Sequence, residues 1–231
     1  MPKAFHPRQS GGRGQRRTGS ARPELPREII DELRTMCRPG RGDEVVASMD
    51  RAARHLERGD PAGAGREAAR AKALASRSPT VREMLGLALY QQERYREALS
   101  EMQAYRRMSG RADQNHIIAD CERALGRPER AVPLAEEALS ARIRPDVKAE
   151  AVIVAASALA DSKRYDQALA LLRRFRTRDD VAEPYALRVW YVTADVLARA
   201  GRRDEARREF RKIMRYDSAA FDVAERLVQL G

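Results

Sequence analysis

The chain has 231 residues, of which 34% are charged and 5% aromatic, with a single Trp. That balance suits long helices lying on one another and speaks against a sheet-rich core. Cys37 and Cys121 stand far apart with no second ligand pair, which speaks against a disulfide framework, and no run of 18 apolar residues exists to span a membrane. The net charge is +11, and six of those charges lie in residues 1–23, which hold no acid. Arg16-Arg17 has no hydrophobic region after it to make an export signal, so a cytoplasmic location is expected.

Residues 1–23 are rich in Gly, Arg, Ser and Pro and have almost nothing to bury. Ordering them would cost about 1–2 kcal/mol per residue in backbone entropy without apolar contact to offset it, so disorder is expected. Arg8, Arg13, Arg16, Arg17 and Arg22 form an electrostatic arm for nucleic acid or an acidic surface, or simply a solvated tail.

Residues 24–42 read as an N-terminal capping helix and loop. Pro26 suits a first helical turn, and Ile29, Ile30, Leu33, Met36 and Cys37 make one apolar stripe that Gly40 and Gly42 end. Asp43 is the expected N-cap of the next helix.

From there to residue 216 a period governs the chain. Five polar turns each run into an alanine: Ala64, Ala98, Ala131, Ala168 and Ala206, at steps of 34, 33, 37 and 38. Antiparallel helices leaving a short turn approach most closely there, and a larger side chain would force them apart. A matching small residue recurs in each first helix, at Ala52, Gly86, Ala119, Ala156 and Ala194, with bulky Met102, Leu172 and Phe210 four beyond three of the turn alanines. Residues 217–231 read as a final capping helix, with Phe221, Ala224, Leu227 and Val228 buried and Asp222, Glu225 and Arg226 wet.

Leu85-Gly86, Tyr90, Tyr95 and Ala98 in the second unit, Gly126-Arg127-Pro128 and Ala131 in the third, and Trp190, Gly201 and Ala206 in the fifth resemble the tetratricopeptide repeat pattern. The resemblance covers about residues 43–216. It implies an all-α, right-handed α-solenoid of about five helical hairpins between an N-terminal helix and a C-terminal cap. The longer steps place extra loop near residues 176–183.

The resemblance also implies that one stripe of the first helices lines a concave binding face. Its candidate residues are Glu83, Leu87 and Tyr90 in the second unit, Asp113, His116, Asp120 and Arg123 in the third, Glu150 and Asp161 in the fourth, and Arg188, Tyr191 and Asp195 in the fifth. Seven acids and three arginines occupy the full stripe, an acidic balance in a basic protein. Two readings follow: a channel for a basic or amphipathic peptide, with Tyr90 and Tyr191 as anchors, or acids that merely pair with neighbouring arginines. The stripe lacks the lysines and asparagines that the family's carboxylate-clamp grooves use, so that subtype is not expected. The chain's own basic arm, Arg8 to Arg22, is a further expected occupant of the acidic channel.

No catalytic, metal or cofactor site is expected. His6, His55 and His116 are scattered; His116 shares a face with Asp113 and Asp120, but Cys121 beside it in sequence points toward the helix–helix contact. The expected function is therefore a non-catalytic protein- or peptide-binding scaffold. The alternative is a nucleic-acid or ribonucleoprotein accessory factor that acts through the arginine-rich arm.

Overall fold

The computed structural model describes residues 25–177 and 182–231. The arm that carries Arg8, Arg13, Arg16, Arg17 and Arg22 lies outside the described residues. Within them the chain is all-helical. A first helix, α1 (Arg27–Met36), precedes five hairpins: α2 (Gly42–Glu57) with α3 (Pro61–Leu74), α4 (Pro79–Gln91) with α5 (Tyr95–Ser109), α6 (Asn115–Ala124) with α7 (Ala131–Ser140), α8 (Pro145–Asp161) with α9 (Tyr165–Arg174), and α10 (Pro184–Arg199) with α11 (Arg203–Tyr216). A last helix, α12 (Val223–Gln229), follows. Each hairpin packs on the next, so the array is the α-solenoid that the repeat pattern implied.

Local chemistry starts and stops these helices. Pro61, Pro79, Pro145 and Pro184 occupy first turns, where the missing N–H has no partner to lose. Asp60 accepts from the Gly63 N–H at 2.8 Å, and Ser78 accepts from the Val81 N–H at 3.2 Å. Asp43 does not cap α2: that helix opens at Gly42 without a side-chain cap, and Asp43 instead accepts from Arg34 of α1 at 2.9 Å.

All five hairpin turns share one backbone geometry that residue type only partly discloses. Gly59, Glu93, Gly126, Lys163 and Gly201 each have positive φ, between 60° and 77°, and each stands five residues before its turn alanine. The N–H of the following residue closes onto the carbonyl five back, as from Arg94 to Leu89 at 3.0 Å and from Arg164 to Leu159 at 2.9 Å. This closure satisfies the orphan carbonyls at the helix end, and glycine adopts it without strain. Glu93 and Lys163 adopt it at a cost of about 1 kcal/mol each.

The alanine rule holds throughout the core. Ala64, Ala98, Ala131, Ala168 and Ala206 are 0% exposed, as are Ala52, Ala119, Ala156 and Ala194. At Gly86 even a Cβ is too much: it would meet the Met102 side chain at 2.9–3.1 Å. Met102 and Phe210 fill the space beside the small residues completely, and each such burial stabilises by about 1.5–3 kcal/mol.

The two ends are closed by short helices. At the front Leu33 of α1 is fully buried against Val45, Met49 and Val81. At the back the buried residue of α12 is Val223, not the predicted set. Ala224 and Val228 face solvent, and Phe221 precedes the helix in a left-handed turn, half-covered and stacked on Tyr191 at 4.9 Å between ring centroids. Because the helix begins after Phe221, its apolar face is turned relative to one drawn from the sequence alone.

Candidate interaction face of the first helices

Helices α2, α4, α6, α8 and α10 lie in a row, each touching the next, and expose a common face. That face is crossed by a ladder of hydrogen bonds and ion pairs running from α4 to α12. Tyr90 Oη donates to Asp120 Oδ2 at 2.6 Å. Arg123 Nε donates to the other oxygen of Asp120 at 2.8 Å, and Arg123 Nη1 reaches Asp161 at 3.1 Å. Arg199 donates to Asp161 at 3.0 Å and lies 3.8 Å from Asp195, which also accepts from Arg226 of α12. Three carboxylates meet three guanidiniums, and the ladder has no net charge.

The upper part of the same face is satisfied in the same way. Arg188 grips Glu150 with two contacts of 2.6 and 2.8 Å. Gln114 donates to Glu83 at 2.6 Å, and Asp113 accepts from Tyr105 at 2.8 Å and from Arg111 at 2.5 Å. Burial raises the carboxyl pKa of Glu83 and of Glu150 above the ordinary value. An open acidic channel is therefore not what these residues form; of the two readings, the pairing with arginines is the one the geometry supports. The cause is periodicity. Steps of 38 residues carry Arg123 onto Asp161 and Asp161 onto Arg199, so opposite charges fall into register from one hairpin to the next.

The two tyrosines separate. Tyr90 is half-buried, with its ring edge-on to Tyr95 at 6.0 Å. Tyr191, expected as an exposed anchor, is only 6% exposed because Phe210 and Phe221 stack on it and its Oη donates to Asp222 at 2.5 Å. Burial first, and then the aspartate beside each hydroxyl, pushes both phenol pKa values well above their ordinary value. Tyr191 is part of the C-terminal seal. Two residues that the sequence reading leaves in solvent join this face from the C-terminal cap: Asp222, which accepts from Tyr191, and Arg226, which donates to Asp195.

Leu87, Asp113 and His116 converge elsewhere, on a cleft of about 1070 Å³ at the turns from α5 into α6 and from α7 into α8. Leu87, Ile143 and Val147 supply its apolar lining, all half-buried, and Arg142 stands exposed at its rim. The His116 Nδ1 is buried without a well-aligned hydrogen bond, beside the Asp113 backbone. Burial lowers the imidazole pKa below its ordinary value, so the ring is neutral at pH 7 and serves the cleft as a flat, mostly apolar surface. Ile143, just before α8, and Val147 in its first turn carry no repeat signature.

The chemistry of the remaining polar groups is plain. Cys121 is fully buried and its thiol is pushed up to about 12 by that burial, so it is protonated and shielded. Among the described residues no group of three or more His, Cys, Asp or Glu side chains could hold a metal ion, and no helix is long and apolar enough to cross a membrane.

Residues 117–217, from α6 to the end of α11, match the sequence profile of the tetratrico peptide repeat, and the hairpins before them repeat the same turn and the same alanine contact. Residues 117–217 belong to the tetratricopeptide repeat family. The fold of the chain is similar to the crystal structure of YrrB, described as a TPR protein with an unusual peptide-binding site. The TM-score is 0.55 at 18% identity, over 76% of this chain and 87% of that one. No curated protein sequence matches significantly. In this tetratricopeptide repeat protein the hairpins supply a scaffold for protein–protein interaction, and the first-helix face is where its polar ladder and its open cleft lie side by side.

Proposed function

We propose that this repeat protein is a binding scaffold that takes an amphipathic segment of a partner protein into the cleft beside α4, α6 and α8. The observation that carries this reading is the contrast in availability along the face. The carboxylates of the ladder are already neutralised by arginines, whereas Leu87, Val147 and the neutral His116 ring border open space. An apolar side chain entering there would remove half-buried carbon from water, and a few such anchors supply most of the affinity at protein interfaces. Arg142 at the rim, with no ion-pair partner among the described residues, favours a carboxylate flanking that anchor. The peptide-binding site attributed to YrrB, on a similar fold, supports the general class of ligand.

The test is a selection of displayed 12-residue peptides on the full-length protein, repeated on Leu87→Asp. Enriched peptides are expected to share an apolar anchor and to lose at least about 10-fold in affinity for the variant by fluorescence anisotropy, at unchanged melting temperature. Enrichment of uniformly basic peptides that bind both proteins equally would reject the reading.

A further inference from the structure

The charge surplus of the repeat region is confined to one hairpin. Residues 24–231 carry a net +5, and residues 184–216 alone hold nine basic and four acidic residues, so everything else in that span sums to zero. Helix α11 supplies three of those five charges. Its Ala206, Phe210 and Ile213 are fully buried, which turns the opposite side outward, and Arg208, Arg211 and Arg215 follow one another on that side at steps of three and four. All three are exposed, and none has an ion-pair partner among the described residues. Arg173 at the end of α9 extends the patch: it and Arg208 both act on the intervening Glu205.

Neutral surroundings elsewhere make this concentration informative. Along the face of the first helices every ladder arginine meets a carboxylate of a neighbouring hairpin, Arg123 reaching forward to Asp161 and Arg199 and Arg226 reaching back to Asp161 and Asp195. On α11 no following hairpin exists to supply one, since α12 turns its Arg226 toward α10 rather than an acid toward α11's outer side. We propose that the outward stripe Arg208–Arg211–Arg215, with Arg173 beside it, docks an acidic segment of a partner protein, on a surface separate from the apolar cleft.

The dimensions favour a protein segment over nucleic acid. From Arg208 to Arg215 the stripe spans roughly 10 Å along the helix, enough for three carboxylates at helical spacing. A nucleic-acid backbone would need a longer uninterrupted track of cations, because affinity there accumulates over many phosphates. It would run instead into Asp204 at the head of α11 and Asp166 on α9, whose side chains are 83% and 98% exposed. Guanidinium forks pair with carboxylates through two parallel hydrogen bonds, which suits an arginine-only stripe.

The experiment compares the full chain with Arg208→Ser/Arg211→Ser/Arg215→Ser, a triple change at exposed positions whose folding is checked by thermal melting. The probe is a fluorescein-labelled helical peptide with glutamates at positions i, i+3 and i+7, alongside its glutamine counterpart and a labelled 20-nucleotide single-stranded RNA. The wild type is expected to bind the glutamate peptide and not the glutamine one, and the triple variant to bind it about 10-fold more weakly at low salt. The basic residues 1–23 are present in both proteins, so the difference isolates α11. Equal binding by the two proteins overturns the proposal, and so does RNA that outcompetes the peptide and loses its affinity in the same variant. Leu87→Asp, which disables the cleft, is expected to leave the glutamate peptide's affinity unchanged; a loss there would also overturn the claim of a separate surface.

Discussion

The ladder on the shared face of the first helices and the outer side of α11 each hold three arginines, and they use them in opposite ways. On the first face Arg123, Arg199 and Arg226 are spent on Asp120, Asp161 and Asp195 and tie each hairpin to another. On α11, Arg208, Arg211 and Arg215 tie nothing together. A repeat array brings like positions into register, so one pairing that works between two hairpins recurs down the row. A residue at the last hairpin has no later copy to pair with. In this array the arginines on the face of the first helices are structural, and those on the outer side of α11 are available.

Removing a rung from the middle should have the largest effect. Asp120 is nearly buried and receives both Tyr90 and Arg123. Asp120→Ala is expected to lower unfolding free energy by about 2–4 kcal/mol in urea titrations, since it removes the nearer partner of a largely covered guanidinium and the acceptor of a half-buried phenol. A loss under about 1 kcal/mol would mean that Arg123 is held by Asp161 alone.

The cleft next to the ladder should respond to pH. The His116 pKa is lowered by burial, with Asp113, Asp120 and Arg188 as its charged neighbours. As pH falls through 6.5 the unfolded chain takes up a proton that the folded chain refuses, so this contribution to stability is complete above pH 6.5 and is lost below it. The slope approaches about 1.4 kcal/mol per pH unit until the folded value is reached. Melting temperatures between pH 7 and 5 should fall in the wild type and fall less in His116→Gln; parallel curves would remove His116 from the account.

Smaller effects sharpen the contrast between the two sets of arginines. Arg199 and Asp161 are each about a third exposed, so Arg199→Ala should cost only about 0.5–1 kcal/mol. Arg211→Ala on the outer side should leave stability within about 0.5 kcal/mol of wild type, and a larger loss would show that the stripe is structural after all. At the turns, Lys163→Gly should raise stability by up to about 1 kcal/mol by relieving its positive φ, offset in part by the freedom glycine gains when unfolded. Differential scanning fluorimetry of the three variants side by side would rank them.

Sequence alone determined the number of hairpins, their all-helical character and the close contacts at the alanines. Those features depend on short-range spacing and on one steric demand, and the steps from Ala64 to Ala206 state both directly. The turns were legible where glycine marks them, at Gly59, Gly126 and Gly201, and silent at Glu93 and Lys163, where residue type does not disclose φ. Which charges remain free, by contrast, was decided by tertiary structure. Whether Asp161 faces solvent or Arg123 depends on how one hairpin sets against the next, and whether Tyr191 is an anchor or a plug depends on where α12 begins. Coulomb pairing and burial act across distances in space that a repeat register, counted along the chain, does not contain.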